Sequence, residues 1–315
     1  MDNNSNINYE FSDLTIPFYT NLTSIFSRSI YTFDSMESMA LFKDNKNKMD
    51  KRASLNKLPS GQILGVPLFQ CQLKKDASYL MSKDHNNLII YKYIIIPSDE
   101  KDENRHLLMD KYLKDREYKL VCENIFYNVS IYKIVYSEIK NKKDLFSLNK
   151  ERKYCLKFRN DSIIMHYYVL NDSVRVESSY FDNSKWIYNN NFNNALINGI
   201  FLNNNYKLVL NDNRIICEFD DSNRSNKWAT STIDEHMGVL RFSNYIKPPA
   251  FSPNDMQFYH DNEFLSDFNE KIICMTFVLI THQKFNYKNS LAPGGVFVIN
   301  NNTSSTTSSN TFIFL

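Results

Sequence analysis

The densest concentration of reactive side chains in this sequence is basic. Lys140, Lys142, Lys143, Lys150, Arg152 and Lys153 crowd one stretch between two strand-like runs. Ammonium and guanidinium groups held on one loop bind anions, and each contributes about 1 kcal/mol near a negatively charged lipid surface. Acids are interleaved with them at Glu138, Asp144 and Glu151, so a solvated, self-compensating loop is the competing reading. A second candidate lies upstream, where Lys51-Arg52-Ala53-Ser54-Leu55 has the form of a basophilic kinase substrate. Phosphate on Ser54 would reverse the local charge and create a docking point for arginine.

Other chemistries find little support. His85, His106, His166, His236, His260 and His282 are scattered, with no HxH or HExxH spacing and no Cys/His cluster to hold a metal. His166 falls inside a strand-like run and reads as a barrel residue. Neither GxSxG nor a phosphate-cradling glycine loop occurs. Asp220-Asp221 follows a strand, where solvated turn carboxylates are common. Cys71, Cys122, Cys155, Cys217 and Cys274 are widely spaced and odd in number, which suits free thiols in a reducing compartment. No catalytic set, metal or cofactor is implied.

Composition narrows the setting. The 315 residues carry 37 basic and 35 acidic groups, a balance that gives no broad field for nucleic acid. Phe and Tyr are abundant, favouring strands. Only six glycines occur, so asparagine is the natural occupant of left-handed turn positions. The polar amino terminus has no leader-like pattern. The apolar run Ile272 to Ile280 is far short of the roughly 20 residues that span a bilayer. The expected location is the cytoplasm or nucleus, or the periphery of a membrane.

Residues 1–62 show no sustained period and read as a largely disordered arm, with a short amphipathic helix within Phe33 to Phe42. From there the pattern tightens. Leu88 to Ile96 is a strong strand stopped by Pro97, Arg105 to Glu117 has a helical face, and Tyr118 to Phe126 and Val129 to Ile139 alternate as strands. More short strands follow at Lys153 to Phe158, Ser162 to Leu170 and Val174 to Tyr180. Tyr206 to Leu210 and Arg214 to Phe219 form a hairpin about Asn211-Asp212-Asn213. About ten such strands fit an all-β sandwich or barrel. Residues 289–315 are Ser/Thr/Asn-rich and read as a flexible tail.

The segment Glu263 to Lys284 differs from everything before it. It opens on Ser266, Asp267 and Glu270, which can cap a helix, turns apolar on every side, and closes on His282 and Lys284. Its β-branched residues Ile272, Ile273, Thr276, Val278 and Ile280 favour a strand. Caps and length favour a helix, and a helix apolar all round must be enclosed.

The order of elements resembles the tubby C-terminal-like superfamily, which includes tubby proteins, phospholipid scramblases and plant LURP-one-related proteins. The likeness rests on a Trp-containing run (Lys227-Trp-Ala-Thr), a glycine-led strand (Gly238-Val-Leu-Arg-Phe-Ser) and the Glu270-Lys-Ile-Ile-Cys-Met-Thr-Phe-Val-Leu segment. It implies a mainly β fold: a closed antiparallel barrel of about a dozen strands around a buried hydrophobic C-terminal helix, here over residues 63–288. The Lys and Arg pair with which tubby proteins hold phosphoinositides has no counterpart that can be placed here. The scramblase acylated cysteine stretch and spanning segment are absent. The function expected is a non-enzymatic module for an anionic membrane lipid of phosphoinositide type or for a protein partner. The alternatives are a protein adaptor that ignores lipid, or an enzyme whose site no motif reveals.

Overall fold

A computed structural model describes residues 11–22, 28–44, 55–59, 61–73, 88–143, 151–168, 173–178, 181, 184–188, 205–211, 213–220, 234–243 and 265–290. The strands are β1 (Phe11–Leu22), β2 (Arg28–Thr32), β3 (Asn56–Lys57), β4 (Ile63–Leu64), β5 (Phe69–Leu73), β6 (Leu88–Pro97), β7 (Tyr118–Asn124), β8 (Val129–Lys143), β9 (Glu151–Lys157) and β10 (Ser162–Tyr168). They continue as β11 (Ser173–Glu177), β12 (Lys185–Tyr188), β13 (Asn205–Val209), β14 (Ile215–Asp220) and β15 (Asp234–Ser243). Three helices accompany them: α1 (Met36–Asp44), α2 (Glu103–Tyr112) and α3 (Asp267–Ser290).

Thirteen strands form one sheet in the order β6-β5-β2-β1-β15-β14-β13-β12-β11-β10-β9-β8-β7, and β8 also pairs with β6. That extra pairing closes twelve of them, all but β7, into an antiparallel ring. β8 is long enough to serve both purposes. Its Val129–Ile134 portion holds β7 on the edge where its Glu138–Lys143 portion holds β9.

The pairing explains the core. Side chains directly across neighbouring strands share a face, so one inward row can be followed from strand to strand. Tyr167, Val174, Trp186, Leu208, Cys217 and Phe242 are successive partners, and a second row runs Tyr206, Phe219, Leu240, Ile16. Each is buried. The ring therefore has an apolar inner wall, and α3 meets it. Ile272, Ile273, Cys274, Met275 and Phe277 are 0% exposed, so over this stretch no side of the helix faces water. The Phe277 ring stands edge-on to Phe18 of β1 at 5.3 Å, and Phe18 does the same to Phe219 of β14 at 5.5 Å. Gly238 makes room for this cluster: its φ is +136°, and a Cβ there would lie 2.7 Å from Phe219 Cζ and 2.8 Å from the Asp220 carbonyl oxygen. The ring and α3 as far as Leu279 belong to one compact unit, and Ile280–Leu315 to a second.

The segment around Ile273 is thus a helix, despite its β-branched residues. Ser266 supplies the cap, its Oγ accepting from the Asn269 N–H at 3.2 Å. Enclosure outweighs the few tenths of a kcal/mol per residue by which β-branching disfavours helix.

The amino-terminal expectation is corrected. Residues 1–62 contain β1 and β2, which are ring members, together with α1. Ile16, Phe18 and Ile30 are buried, so the barrel begins at Phe11 rather than at residue 63. The segment hid because β1 carries Thr, Pro and Tyr at positions that obscure its alternation. α1 lies where the short amphipathic helix was expected, and its Phe42 packs with Tyr19, Phe33 and Met39. α2 agrees with expectation too, with Leu108, Tyr112 and Leu113 packed on Ile94, Ile96 and Ile134, but Leu107 points to solvent. Asparagine does serve left-handed turns: Asn128 and Asn213 have φ of +53° and +65°. The Trp228 run and residues 291–315 lie outside the described residues.

Candidate anion-binding face

By register, Lys140, Lys142 and Lys153 fall on the outer wall of β8 to β12, whereas Lys143 and Arg152 share the parity of the inward Tyr154 and Leu156. Inward Tyr154, Leu156, Ile163, Met165, Val174, Val176 and Trp186 are buried, so the residues between them face out. The pairing then aligns five basic residues across five strands. Lys142 lies opposite Lys153, Lys153 opposite His166, His166 opposite Arg175 and Arg175 opposite Lys185. With strands about 4.8 Å apart, the row is roughly 19 Å long along the curved sheet. Arg175 and Lys185 are exposed, while Lys153 and His166 are half-buried.

Charge is balanced nearer the middle of β8 and turns positive toward the β8–β9 turn. Glu138 pairs with Lys157, Lys140 with Cys155, Lys142 with Lys153 and Lys143 with Arg152. Like charges directly opposite destabilise a sheet. A hairpin selected for stability alone would alternate signs, as its Glu138–Lys157 rung does. Among the described side chains Glu177 contacts the row, 3.3 Å from His166 Nε2 and 3.4 Å from Arg175.

Of the sequence candidates, Lys140, Lys142, Lys143, Arg152 and Lys153 are therefore brought together on one hairpin. Lys150 and Ser54 fall outside the described residues. Three members of the row were missed: His166, taken for a barrel residue, and Arg175 and Lys185, which stand alone in sequence. No spacing signal could have found them, because only strand pairing sets residues 142, 153, 166, 175 and 185 side by side.

A second group of charges lies inside the ring, at the start of α3. Lys92 Nζ of β6 donates to Glu270 Oε1 at 2.6 Å, with side chains 9% and 7% exposed. The Lys92 ammonium also sits over the rings of Tyr112 and Tyr136, at 5.2 and 5.8 Å. Lys271 contacts Asp161 at 2.8 Å and Asp267 one helical turn back. Burial, then the nearby Glu270 carboxylate, pushes the Tyr136 hydroxyl far above its usual range. Burial likewise raises the thiols of Cys71, Cys217 and Cys274. They stay protonated and pack as small apolar groups. These ion pairs tie the start of the helix to the wall. Among the described residues no group of His, Cys, Asp and Glu could hold a metal ion, and no helix is long and apolar enough to cross a membrane.

A twelve-stranded antiparallel ring closed on a buried helix defines the class of this chain: a closed β-barrel with a C-terminal helix in its core. Residues 18–287 match the DIA1 family, which covers the ring from within β1 to α3, and the chain belongs to that family. No curated protein and no solved structure matches it.

Proposed function

We propose that this barrel is a non-enzymatic module that binds anionic membrane lipid, of phosphoinositide type, through the outer face of β8 to β12. The observation that carries this reading is the aligned row Lys142, Lys153, His166, Arg175 and Lys185. A phosphate lodged between like-charged neighbours offsets the repulsion that the empty hairpin carries, and several cations per headgroup add charge-assisted hydrogen bonds. The inner leaflet of the plasma membrane, rich in anionic lipid, is the fitting location. Kinship with tubby-like barrels is part of the same proposal, supported by the closed ring around a C-terminal helix.

The test is vesicle flotation of the full chain on phosphatidylcholine alone, with phosphatidylserine, and with a bisphosphorylated phosphoinositide. Flotation should require anionic lipid, be strongest with the phosphoinositide and fall with salt. Soluble inositol trisphosphate should compete if the headgroup is read in detail, and not if bulk surface charge suffices. Lys153→Glu/Arg175→Glu should abolish flotation with an unchanged circular dichroism spectrum. Flotation that survives this double reversal, or that never exceeds the phosphatidylcholine control, overturns the reading.

A further inference from the structure

The turn joining β7 to β8 presents two large apolar side chains to water. Ile125 is 93% exposed and Phe126 86%. Their support is firm. The Asn124 side chain accepts from the Tyr127 N–H at 2.9 Å, Asn128 takes a left-handed φ of +53°, and its carbonyl accepts from the Ser98 N–H at 2.9 Å. Tyr127 donates its hydroxyl to the Leu55 carbonyl at 3.1 Å and stands edge-on to Phe126. A turn needs only polar residues or glycine at its tip, so nothing in the fold calls for Ile and Phe. Of the seven exposed large hydrophobics among the described residues, four (Tyr118, Leu120, Ile125 and Phe126) belong to β7 and this turn. Such a concentration marks an interaction surface.

The free edge of β7 is not the route. A bulge between Leu120 and Cys122 breaks its regularity, and Lys119 sits on it. Both devices discourage addition of another strand. The contact is therefore the tip. Exposed carboxylates outnumber lysines in the segments beside it: Glu123 precedes it, and Asp99 and Glu100 follow Ser98, which is bonded to Asn128, against Lys101 and Lys57. They would repel an anionic bilayer, and they would repel the same tip on a second copy. They fit a partner with basic residues around an apolar pocket. The tip also stands at the opposite end of the 15-residue β8 from the basic hairpin, about 47 Å away at about 3.4 Å per residue. One partner cannot easily cover both, so the two surfaces are free to act together.

We propose that Ile125 and Phe126 form a preformed knob that docks into an apolar, basic-rimmed pocket on a partner protein. The test places a benzophenone amino acid at position 126 of the full chain in cells that express it natively, with position 36, exposed on α1, as control. The cross-linked protein is then purified and titrated calorimetrically against the unmodified chain. Each apolar anchor should contribute about tenfold in affinity, so Ile125→Ser/Phe126→Ser should weaken binding about a hundredfold while leaving the melting temperature unchanged. Glu123→Lys should weaken it several-fold, and added salt should do the same to wild type. The proposal is overturned if position 126 yields no adduct beyond the control, or if the purified protein binds the double variant as well as wild type. It is also overturned if the tip instead drives self-association in sedimentation equilibrium or flotation on phosphatidylcholine vesicles.

Discussion

Removing one member of the buried Lys92–Glu270 pair should damage this protein far more than removing both. The two side chains lie 178 residues apart in sequence and meet at 2.6 Å, nearly sealed from water. At an effective dielectric of about 20, two unit charges at that distance attract by about 6 kcal/mol. Withdrawing each from water costs several kcal/mol, so the pair's net contribution is close to nothing. The balance is lost when one partner goes. Glu270→Leu leaves an ammonium facing only the Tyr112 and Tyr136 rings, and Lys92→Met leaves a carboxylate with no cation beside it in the lumen. Each single change should cost about 3–5 kcal/mol. The double variant should fall within about 1–2 kcal/mol of wild type, because Met and Leu fill similar volume among apolar neighbours. The coupling energy should then be at least about 3 kcal/mol. Urea unfolding followed by circular dichroism and fluorescence measures it, provided the two probes coincide and the m-value is constant. If the single variants each lose under about 1 kcal/mol, or if the double variant loses the sum of the two, then α3 is not bound to the wall as described.

Two further perturbations probe the same architecture. Gly238→Ala forces a Cβ against a backbone carbonyl at 2.8 Å and a side chain onto a φ of +136°; strain of this kind costs about 1–3 kcal/mol before the clash with Phe219 is counted, and an unfolding midpoint equal to wild type would contradict it. His236, opposite Tyr19 on β15, is held below its ordinary value by burial and then by Lys43, against a smaller opposing pull from Asp220. Its neutral form is favoured by folding, so its contribution is complete above about pH 6.5 and is lost as pH falls through the depressed folded value. His236→Gln should flatten the decline in unfolding midpoint between about pH 7 and pH 5; an identical pH profile for the two proteins would refute the assignment.

The fold was largely legible because its strongest signals are local. Leu88 to Ile96 alternates too little and runs too apolar to be anything but a covered strand, and Ser266 announces a helix before the run that must be enclosed. β1 and β2 were not legible. Their apolar residues become a pattern only once β15 and β5 lie beside them, and the pairing of Ile16 with Leu240 joins residues from opposite ends of the chain. The basic hairpin was partly visible, since Lys140 to Lys153 cluster in sequence. The row through His166, Arg175 and Lys185 and the exposure of Ile125 and Phe126 were invisible, since a solitary Arg and a turn Phe carry no mark of what stands next to them.

By itself, then, the sequence determined periodicity, caps and turns: which stretches are strands, that residues from Ile272 onward need cover, and that asparagine would fill the left-handed corners. Tertiary structure alone decided the pairing between strands. Pairing fixes which side chains stand about 5 Å apart, and electrostatic repulsion, burial of an ion pair and the accessibility of a turn all depend on that distance rather than on position along the chain.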